Sequence, residues 1–168
     1  MTQLYCAQSK CVQGSCYNSG VTASSSPLDL DNQLCFALYR ASHAVVRAYK
    51  SELDQLGLTY PQYLVMLALW QTDEPQGVGQ LGDLLGLDSG TLTPVLRRLE
   101  QRGLVVRHRD EHDERRRLIE LSDAGRDLRV LAEKVPAKIA ARFPLQGQDY
   151  HLLMAQLGDI AQAFGNDR

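Results

Sequence analysis

The sequence predicts a mainly α-helical protein with one small β-hairpin, and three observations support this prediction. Apolar residues recur at three- and four-residue steps, as amphipathic helices require. A capped helix is expected over 88–102 and ends at Gly103. Two β-prone runs, 104–108 and 117–121, follow it and are separated by a polar turn over 109–116. A helix that leads into a basic hairpin is typical of a winged helix-turn-helix, with the hairpin as the wing.

Two helices are predicted before this motif. The first covers residues 30–56, starts in the acidic cluster at 29–32 and ends at Gly57, so it would be about 40 Å long. The second begins at Thr59, which forms a T-x-x-Q capping box with Gln62. It should run through Trp70 and end in the loop at 72–77.

The motif itself needs a short helix over 80–85, a turn at Gly86 and Leu87, and the recognition helix over 88–102. Pro94 lies well inside that recognition helix and cannot donate a hydrogen bond to the carbonyl of Gly90. We therefore expect a local kink there, or a carbonyl group left to water.

After the wing, Ser122 should cap a helix that extends to residue 135, and Pro136 should bend or interrupt it. A final amphipathic helix is predicted over 149–164. Long helices at both ends carry more apolar surface than the compact motif can cover, which predicts N- and C-terminal dimerisation helices and a homodimer. The alternative is a monomer whose terminal helices pack on each other.

Positive charge is concentrated around the motif. Residues 97–117 contain eight of the eighteen Lys and Arg residues and five acidic residues, whereas the whole chain has a net charge of −2. This pattern favours nucleic acid as the partner. A two-fold dimer would present two recognition helices to major grooves about 34 Å apart and would bind palindromic double-stranded DNA. The longest apolar run, 64–70, is too short for a membrane span, so we expect a cytoplasmic protein with no membrane contact.

Residues 1–27 differ in composition from the rest of the chain. They are rich in Ser, Cys and Gln and contain one charged residue, Lys10, which predicts a disordered tail before a folded domain at 28–168. The four cysteines all lie in the first fifth of the chain, which argues against a disulfide framework: Cys6, Cys11, Cys16 and Cys35. Because CxxC pairs and nearby histidines are missing, neither a metal nor any other cofactor is predicted.

On an ideal helix Cys35 shares a stripe with Tyr39 and Tyr49, so it should face protein rather than bulk water. Spacing alone favours a small core cysteine among ordinary tyrosines. The alternative is that hydroxyl groups, including that of Tyr60 on the next helix, stabilise a thiolate. A thiol of pKa about 8.5 is only roughly 3% ionised at pH 7, and a depression of about two to three units would make the thiolate dominant.

Four segments together resemble the MarR family, specifically its organic-hydroperoxide-sensing OhrR subgroup: LDNQLCFALYR, LTYPQYLVMLALW, LDSGTLTPVLRRLEQRGLV and the DERR wing. The winged motif alone indicates MarR, and LCFALY with TYPQY narrows the resemblance to the subgroup. The resemblance covers about residues 28–164 and implies that Cys35 is the peroxidatic thiol. It also implies that Tyr39, Tyr49 and Tyr60 surround this thiol.

The resemblance also implies how DNA would be bound. At the wing tip, Arg115 would enter the minor groove while Asp113 braces it. The other expected DNA contacts lie on the recognition helix and beside the wing tip: Ser89, Thr91, Thr93, Arg97 and Arg116. The implied function is that of a redox-sensing repressor, not an enzyme, which releases its operator when an organic hydroperoxide oxidises Cys35.

The sequence departs from some members of the subgroup because no cysteine follows Cys35. Oxidised Cys35 would therefore be captured by a low-molecular-weight thiol or resolved by Cys16, whose 13-residue separation from Asp29 spans about 20 Å if flexible. Three other functions remain open at this point. They are a repressor released by a small aromatic ligand, a thiol peroxidase with a merely solvated hairpin, and metalloid sensing through the tail cysteines.

Overall fold

The computed structural model describes residues 26–110, 113 and 116–165. The chain divides into two units, Met1–Ala41 and Ser42–Arg168. Seven helices and three strands are present in the described part, after a 3₁₀ turn at Leu30–Asn32. The helices are α1 (Leu34–Leu56), α2 (Tyr60–Leu69), α3 (Val78–Leu85), α4 (Ser89–Gln101), α5 (Asp123–Ala132), α6 (Lys134–Ala140) and α7 (Gln148–Gly165). The strands are β1 (Gln76–Gly77), β2 (Val105–Arg109) and β3 (Arg117–Leu121). This mainly helical architecture with a small antiparallel sheet confirms the predicted fold class.

The first unit is described over residues 26–41. Here the predicted first helix starts four residues late, because the segment before Leu34 forms a 3₁₀ turn followed by Gln33 in an extended conformation. Polar side chains hold this turn, since the Asn32 side-chain amide donates to the Ser26 carbonyl at 3.1 Å. The Ser26 backbone N–H donates to the Asp29 carboxylate at 2.8 Å. Asp and Asn side chains compete with helical backbone bonds in this way, which the apolar pattern did not reveal.

The second unit contains the hydrophobic core, and α2 lies at its centre. Most residues of α2 are buried, including the large side chains Tyr63 and Met66. As predicted, α2 begins after Thr59, whose backbone N–H donates to the Gln62 side chain at 2.8 Å. Helix α4 and the sheet complete the core with apolar side chains: Leu92, Leu96, Leu99, Val105, Ile119 and Leu121.

The sheet has the order β1-β3-β2, so β3 is the central strand. Strand β1 pairs antiparallel with β3, with Gln76 opposite Ile119 and Gly77 opposite Leu118. Strand β1 falls in the predicted loop over 72–77, because two residues after Pro75 are too few to show an alternating pattern. The wing therefore connects by backbone pairing to the start of α3.

The helix break near Pro136 also differs from the prediction. Helix α5 ends at Ala132 and α6 begins at Lys134, so Pro136 lies in the first turn of α6. Proline cannot donate to the carbonyl four residues earlier, which is that of Ala132, and its ring would collide with it. The break therefore falls before the proline, whereas the first turn of a helix tolerates the missing N–H.

Arg102 joins the C-terminal ends of α1 and α4. Its guanidinium donates to the carbonyl oxygen of Leu56 at 3.1 Å and to that of Gly57. Gly57 ends α1 with a φ of +64°, as its predicted role requires. A cation at the last carbonyl groups of a helix is favourable, so this arginine fixes the helix-turn-helix to the end of α1. Among the described residues, none of the helices combines the length and hydrophobicity needed to cross a bilayer.

Candidate functional site

Helix α4 begins with a well-formed cap. The Asp88 carboxylate accepts the backbone N–H of Thr91 at 2.9 Å and the Thr91 hydroxyl at 2.8 Å. The hydroxyl bond, followed by the backbone bonds, lowers the pKa of Asp88 below its usual 3.8. This carboxylate therefore stays ionised at neutral pH and holds the first turn of the helix.

The exposed face of α4 carries the predicted DNA contacts, and they fall on two flanks. Ser89, Thr93 and Arg97 are exposed and lie at four-residue steps, so they form one row. Thr91 is also exposed but lies about 160° from Thr93 around the helix axis. Because its hydroxyl already donates to Asp88, Thr91 stabilises the helix start in the free protein.

The two helices of the motif pack closely because Gly82 of α3 has no side chain. A Cβ at that position would lie 2.9 Å from the carbonyl oxygen of Leu87 and 3.8 Å from Leu92 of α4. Gly86 makes the turn between the helices with a φ of +63°, which agrees with the predicted turn at Gly86 and Leu87. The exposed row of α4 is thus presented by a tightly packed helix-turn-helix.

The base of the wing is closed by backbone and side-chain contacts. Asp110 N–H donates to the Arg116 carbonyl at 3.2 Å, and Arg116 N–H donates to the Asp113 carbonyl at 2.9 Å. The Arg116 guanidinium lies 3.6 Å from the Asp110 carboxylate and donates to the Gln80 side chain at 3.5 Å. Asp113 is exposed, whereas Arg115 lies outside the described residues, so the bracing of Arg115 by Asp113 stays a prediction.

The strand register adds basic residues that the sequence analysis did not assign to DNA. Arg107 pairs with Ile119, and Arg109 pairs with Arg117, so these arginines share the sheet face that holds the buried Val105 and Ile119. On this face the buried apolar residues are followed, towards the wing tip, by arginines. The alternation of Val105, Arg107 and Arg109 is the sequence signal that could have located them.

The structure does not support the prediction that Cys35 faces protein. In the single chain Cys35 is exposed and is not in a disulfide. Tyr39, one helical turn later, is 60% exposed. The reason is local, because no residue in the described part of the first unit is buried. Cys16 lies outside the described residues, so its role as a resolving thiol stays a prediction.

In the second unit, Tyr49 and Tyr60 lie together, as part of an aromatic cluster that also includes Tyr63 and Trp70. The ring centroids of Tyr49 and Tyr60 are 5.0 Å apart, those of Tyr49 and Tyr63 5.9 Å, and those of Tyr63 and Trp70 6.4 Å. Burial raises the pKa of Tyr60, and burial followed by the neighbouring Tyr60 and Tyr150 raises that of Tyr49. Burial, then Tyr49 and Tyr60, raises the pKa of Tyr63 to about 12. These phenols remain hydrogen-bond donors at neutral pH.

The aromatic cluster ends in a buried contact with α5. Trp70 Nε1–H donates to the carbonyl oxygen of Gly125 at 2.9 Å. A Cβ on Gly125 would lie 2.1 Å from the carbonyl oxygen of Leu104, immediately before β2. The cluster thus connects through Gly125 to the start of the wing. Sequence analysis missed this contact, although a buried tryptophan generally requires an acceptor for its N–H group.

Comparisons with known proteins agree with this geometry. Residues 47–129 match the family model described as transcriptional regulator SarA/Rot. The chain is 45% identical to the organic hydroperoxide resistance transcriptional regulator of Bacillus subtilis, over 77% of this chain and 88% of that protein. It is 52% identical to the HTH-type transcriptional regulator TtmR of Methylorubrum extorquens, over 83% of this chain and 71% of that protein.

The solved structures of AbfR from Staphylococcus epidermidis provide the structural comparison. Reduced AbfR bound to DNA has a TM-score of 0.69 and 38% identity, and the match covers 81% of this chain and 92% of that chain. AbfR is also known in an overoxidised, DNA-bound form and in a disulfide form, with TM-scores of 0.66 and 0.57. This chain belongs to the MarR family of winged helix-turn-helix transcriptional regulators, in its organic-hydroperoxide-sensing OhrR subgroup.

Proposed function

We propose that this protein is a redox-sensing, DNA-binding repressor that releases its operator when an organic hydroperoxide oxidises Cys35. The observation that carries the proposal is the presence, in one chain, of an exposed free thiol and a winged helix-turn-helix. The AbfR structures support the DNA-binding and redox parts of the proposal, since reduced AbfR is bound to DNA and AbfR also occurs in a disulfide form. Overoxidised AbfR is bound to DNA as well, so release is assigned to the disulfide-bonded state of Cys35. The protein would act in the cytoplasm, with DNA as its partner.

DNA contact is assigned to the exposed face of α4 and to the wing. The row of Ser89, Thr93 and Arg97 would enter the major groove, with Thr91 at its flank. Asp113, Arg115 and Arg116 would contact the adjacent minor groove and backbone, as arginine favours narrow and strongly negative grooves. A palindromic operator follows if the protein is a two-fold dimer.

A homodimer is supported by apolar side chains that each unit exposes. Leu28, Leu30 and Leu34 are exposed in the first unit. In the second unit, α7 exposes Leu152, Met154 and Leu157. These side chains would form an interface if a second copy brings them together into a contiguous apolar patch. In such a dimer, the second copy would cover the terminal segments and enclose the otherwise exposed Cys35.

The proposed chemistry begins with the Cys35 thiolate. Its sulfur attacks one oxygen of the hydroperoxide, the O–O bond breaks, and the alkoxide leaves as an alcohol after taking a proton, so that Cys35 becomes a sulfenic acid. Tyr39 would donate a hydrogen bond to the thiolate of its own chain before this step. Tyr49 follows Cys35 by 14 residues, about four turns of α1, so Tyr49 and Tyr60 would donate from the second copy of the proposed dimer. Oxidation replaces the anionic acceptor with a neutral one, which would rearrange these donors and move the recognition helices out of register.

The oxidised state would then be fixed by a second thiol. A low-molecular-weight thiol attacks the sulfenic sulfur, forms a mixed disulfide and releases water. Cys16 is the second candidate for this step. Because Cys35 is not regenerated without a reductant, peroxide consumption in the absence of added thiol should stop after a few equivalents per chain, as expected of a regulator rather than of a peroxidase.

A gel-shift assay tests the mechanism. The probe is a duplex selected from a random library by the reduced protein, and the oxidant is cumene hydroperoxide. Wild type should bind the duplex when reduced and release it on oxidation, whereas Cys35→Ser should bind and stay bound. Intact-mass measurement of the same samples identifies the sulfur product. Release of Cys35→Ser at the wild-type peroxide concentration would overturn the mechanism.

Matched cysteine controls separate the thiols. Combined replacement of Cys6, Cys11 and Cys16 by Ser leaves Cys35 as the only cysteine of the chain. If a small thiol fixes the oxidised state, this variant should respond to peroxide plus added thiol as wild type does. If Cys16 resolves Cys35, the variant should lose the intramolecular or intersubunit disulfide in the mass spectrum.

One observation favours a second trigger, a small aromatic ligand. A cavity of about 300 Å³ is lined by the rings of Tyr63 and Trp70 and by Arg129, whose guanidinium lies 3.8 Å from Glu133. The rings suit an aromatic ligand, and because Glu133 also lines the cavity, a ligand carboxylate would have to replace Glu133 as the partner of Arg129. Benzoate provides a simple probe, because release of DNA from Cys35→Ser by benzoate, without peroxide, would favour this trigger over the thiol.

A further inference from the structure

A cavity of about 490 Å³ lies between the recognition helix, the first turn of α3 and the base of the wing. Arg107, Arg116 and Arg117 line it together with Thr93 of α4. Asp83 is the acidic residue in the lining, and Asp110 lies 3.6 Å from Arg116, so the excess of positive charge is smaller than the three arginines alone would give. A concave, positively charged surface of this kind attracts an anion.

Arg107 contributes a poorly compensated charge to this cavity. Its side chain is 26% exposed, and its Nε and Nη2 atoms are buried without a hydrogen-bond partner in the described part of the chain. The nearest carboxylate oxygen, that of Glu100, lies 3.8 Å from Nε. A guanidinium with unmet donors is unfavourable in a partly buried place, and a nearby anion would offset that penalty.

Gly79, the second residue of α3, also lines the cavity. A Cβ built on Gly79 would meet no atom within 4 Å, so neither packing nor a positive φ requires glycine at this position. Glycine in a helix is nevertheless less stable than alanine. A ligand that approaches the backbone closely would explain why glycine occupies this position. The first N–H groups of a helix lack acceptors within the helix, so they could donate to such a ligand.

We propose that this cavity binds one phosphate group of the operator backbone and thereby sets the position of α4 in the major groove. The inference rests on the proposed DNA-binding function. Thr93 belongs to both the cavity lining and the exposed row of α4, so a phosphate bound here would lie beside the base-reading surface. Phosphate contacts of this type fix orientation and register, whereas base contacts provide specificity.

The salt dependence of DNA binding tests this proposal. Each lost phosphate contact should reduce the slope of log K against log salt by about 0.9. Arg117→Gln should show this reduction and weaken binding equally for selected and random duplexes. Arg126→Gln, which alters an exposed arginine on α5, is the matched control and should keep the wild-type slope. Arg107→Gln should show the same reduction in slope and affinity. If Arg107→Gln fails to fold, Arg117→Gln alone still tests the proposal.

Gly79→Ala provides an independent variant because it removes no charge. The added methyl group should weaken DNA binding while the unfolding temperature stays equal to or above that of wild type. If wild type binds DNA but Gly79→Ala and Arg117→Gln retain its affinity and slope, the phosphate assignment is wrong and the regulator function stands. If wild type binds no duplex, the proposed function itself fails.

Free inorganic phosphate has the same charged oxygens as a DNA backbone phosphate and is the alternative ligand for this cavity. Inorganic phosphate, titrated into DNA-free protein and followed by ³¹P NMR, should show equally weak binding to wild type and to Arg117→Gln. Saturable binding to wild type alone, combined with an unchanged salt slope in Arg117→Gln, would assign the cavity to free phosphate and overturn the DNA assignment.

Discussion

The indole N–H of Trp70 donates a buried hydrogen bond to the carbonyl oxygen of Gly125, at 2.9 Å. This bond connects the end of α2 with the first turn of α5, 55 residues later in the chain. It joins the aromatic cluster to the segment that follows the wing. A substitution at Trp70 therefore measures how much the contact between α2 and α5 contributes to the free energy of unfolding.

Trp70→Phe should lower the free energy of unfolding by about 1–3 kcal/mol, because the buried hydrogen bond is lost and the smaller ring leaves a space. Urea unfolding followed by circular dichroism measures the change. Val130→Ala, which alters a 66% exposed side chain on α5, is the control and should leave the free energy of unfolding nearly unchanged. A loss below about 0.5 kcal/mol for Trp70→Phe would show that the bond does not stabilise the fold.

Gly125→Ala should destabilise the protein more than Trp70→Phe does. The new Cβ would lie 2.1 Å from the carbonyl oxygen of Leu104, which is backbone and cannot rotate away. Gly158→Ala in α7, where a Cβ meets nothing within 4 Å, is the matched control and should leave stability unchanged or slightly higher. Thermal unfolding should give a lower unfolding temperature for Gly125→Ala than for Gly158→Ala. Equal unfolding temperatures would contradict the predicted clash.

Asp88 should make the protein less stable in acid. Because its pKa is lower in the folded state, the unfolded chain binds the proton first as pH falls, so the stabilisation is present above about 3.8 and is lost as pH passes through the folded value. Asp88→Asn keeps a hydrogen-bond acceptor but does not titrate. Unfolding curves between pH 2 and 5 should therefore show a smaller acid loss for Asp88→Asn than for wild type, and parallel curves would refute this.

The tyrosine cluster should weaken the protein in alkali. The pKa of Tyr63 is raised to about 12 and those of Tyr49 and Tyr60 are also raised, so the unfolded state loses phenolic protons first as pH increases. Stability should thus decline as pH rises from about 10 towards 12. Ultraviolet titration should show a late phenol that disappears in Tyr63→Phe, with Tyr5→Phe as the control. Retention of the late phenol in Tyr63→Phe would assign it to another tyrosine.

Much of the fold could be predicted because local signals agree with the tertiary structure. The cap at Asp88, the end of α1 at Gly57 and the Thr59–Gln62 pair all lie where side-chain chemistry places them. Other features depend on distant partners. Strand β1 exists only because β3 lies beside it, and the exposure of Cys35 depends on what packs against the first unit.

The candidate DNA interface was predicted only in part for a related reason. The exposed side chains of α4 follow directly from helical periodicity, since its apolar face is continuous. The cavity beside it depends on the register that places Arg107 and Arg117 on the core face of the sheet. Register is set by pairing between strands. The positions of the arginines in the sequence therefore show where positive charge is concentrated, but not which arginines line the cavity.

The pairing of β1 with β3 closes the chain on itself around α3 and α4. The strand that leaves the wing tip also holds the residues at which the helix-turn-helix begins. Pulling the wing away from its groove would thus pull on the start of α3 as well. If α4 and the wing contact DNA as proposed, this pairing couples them, and we expect the complex to dissociate in a single step, without a stage in which the wing has left its groove and the recognition helix has not.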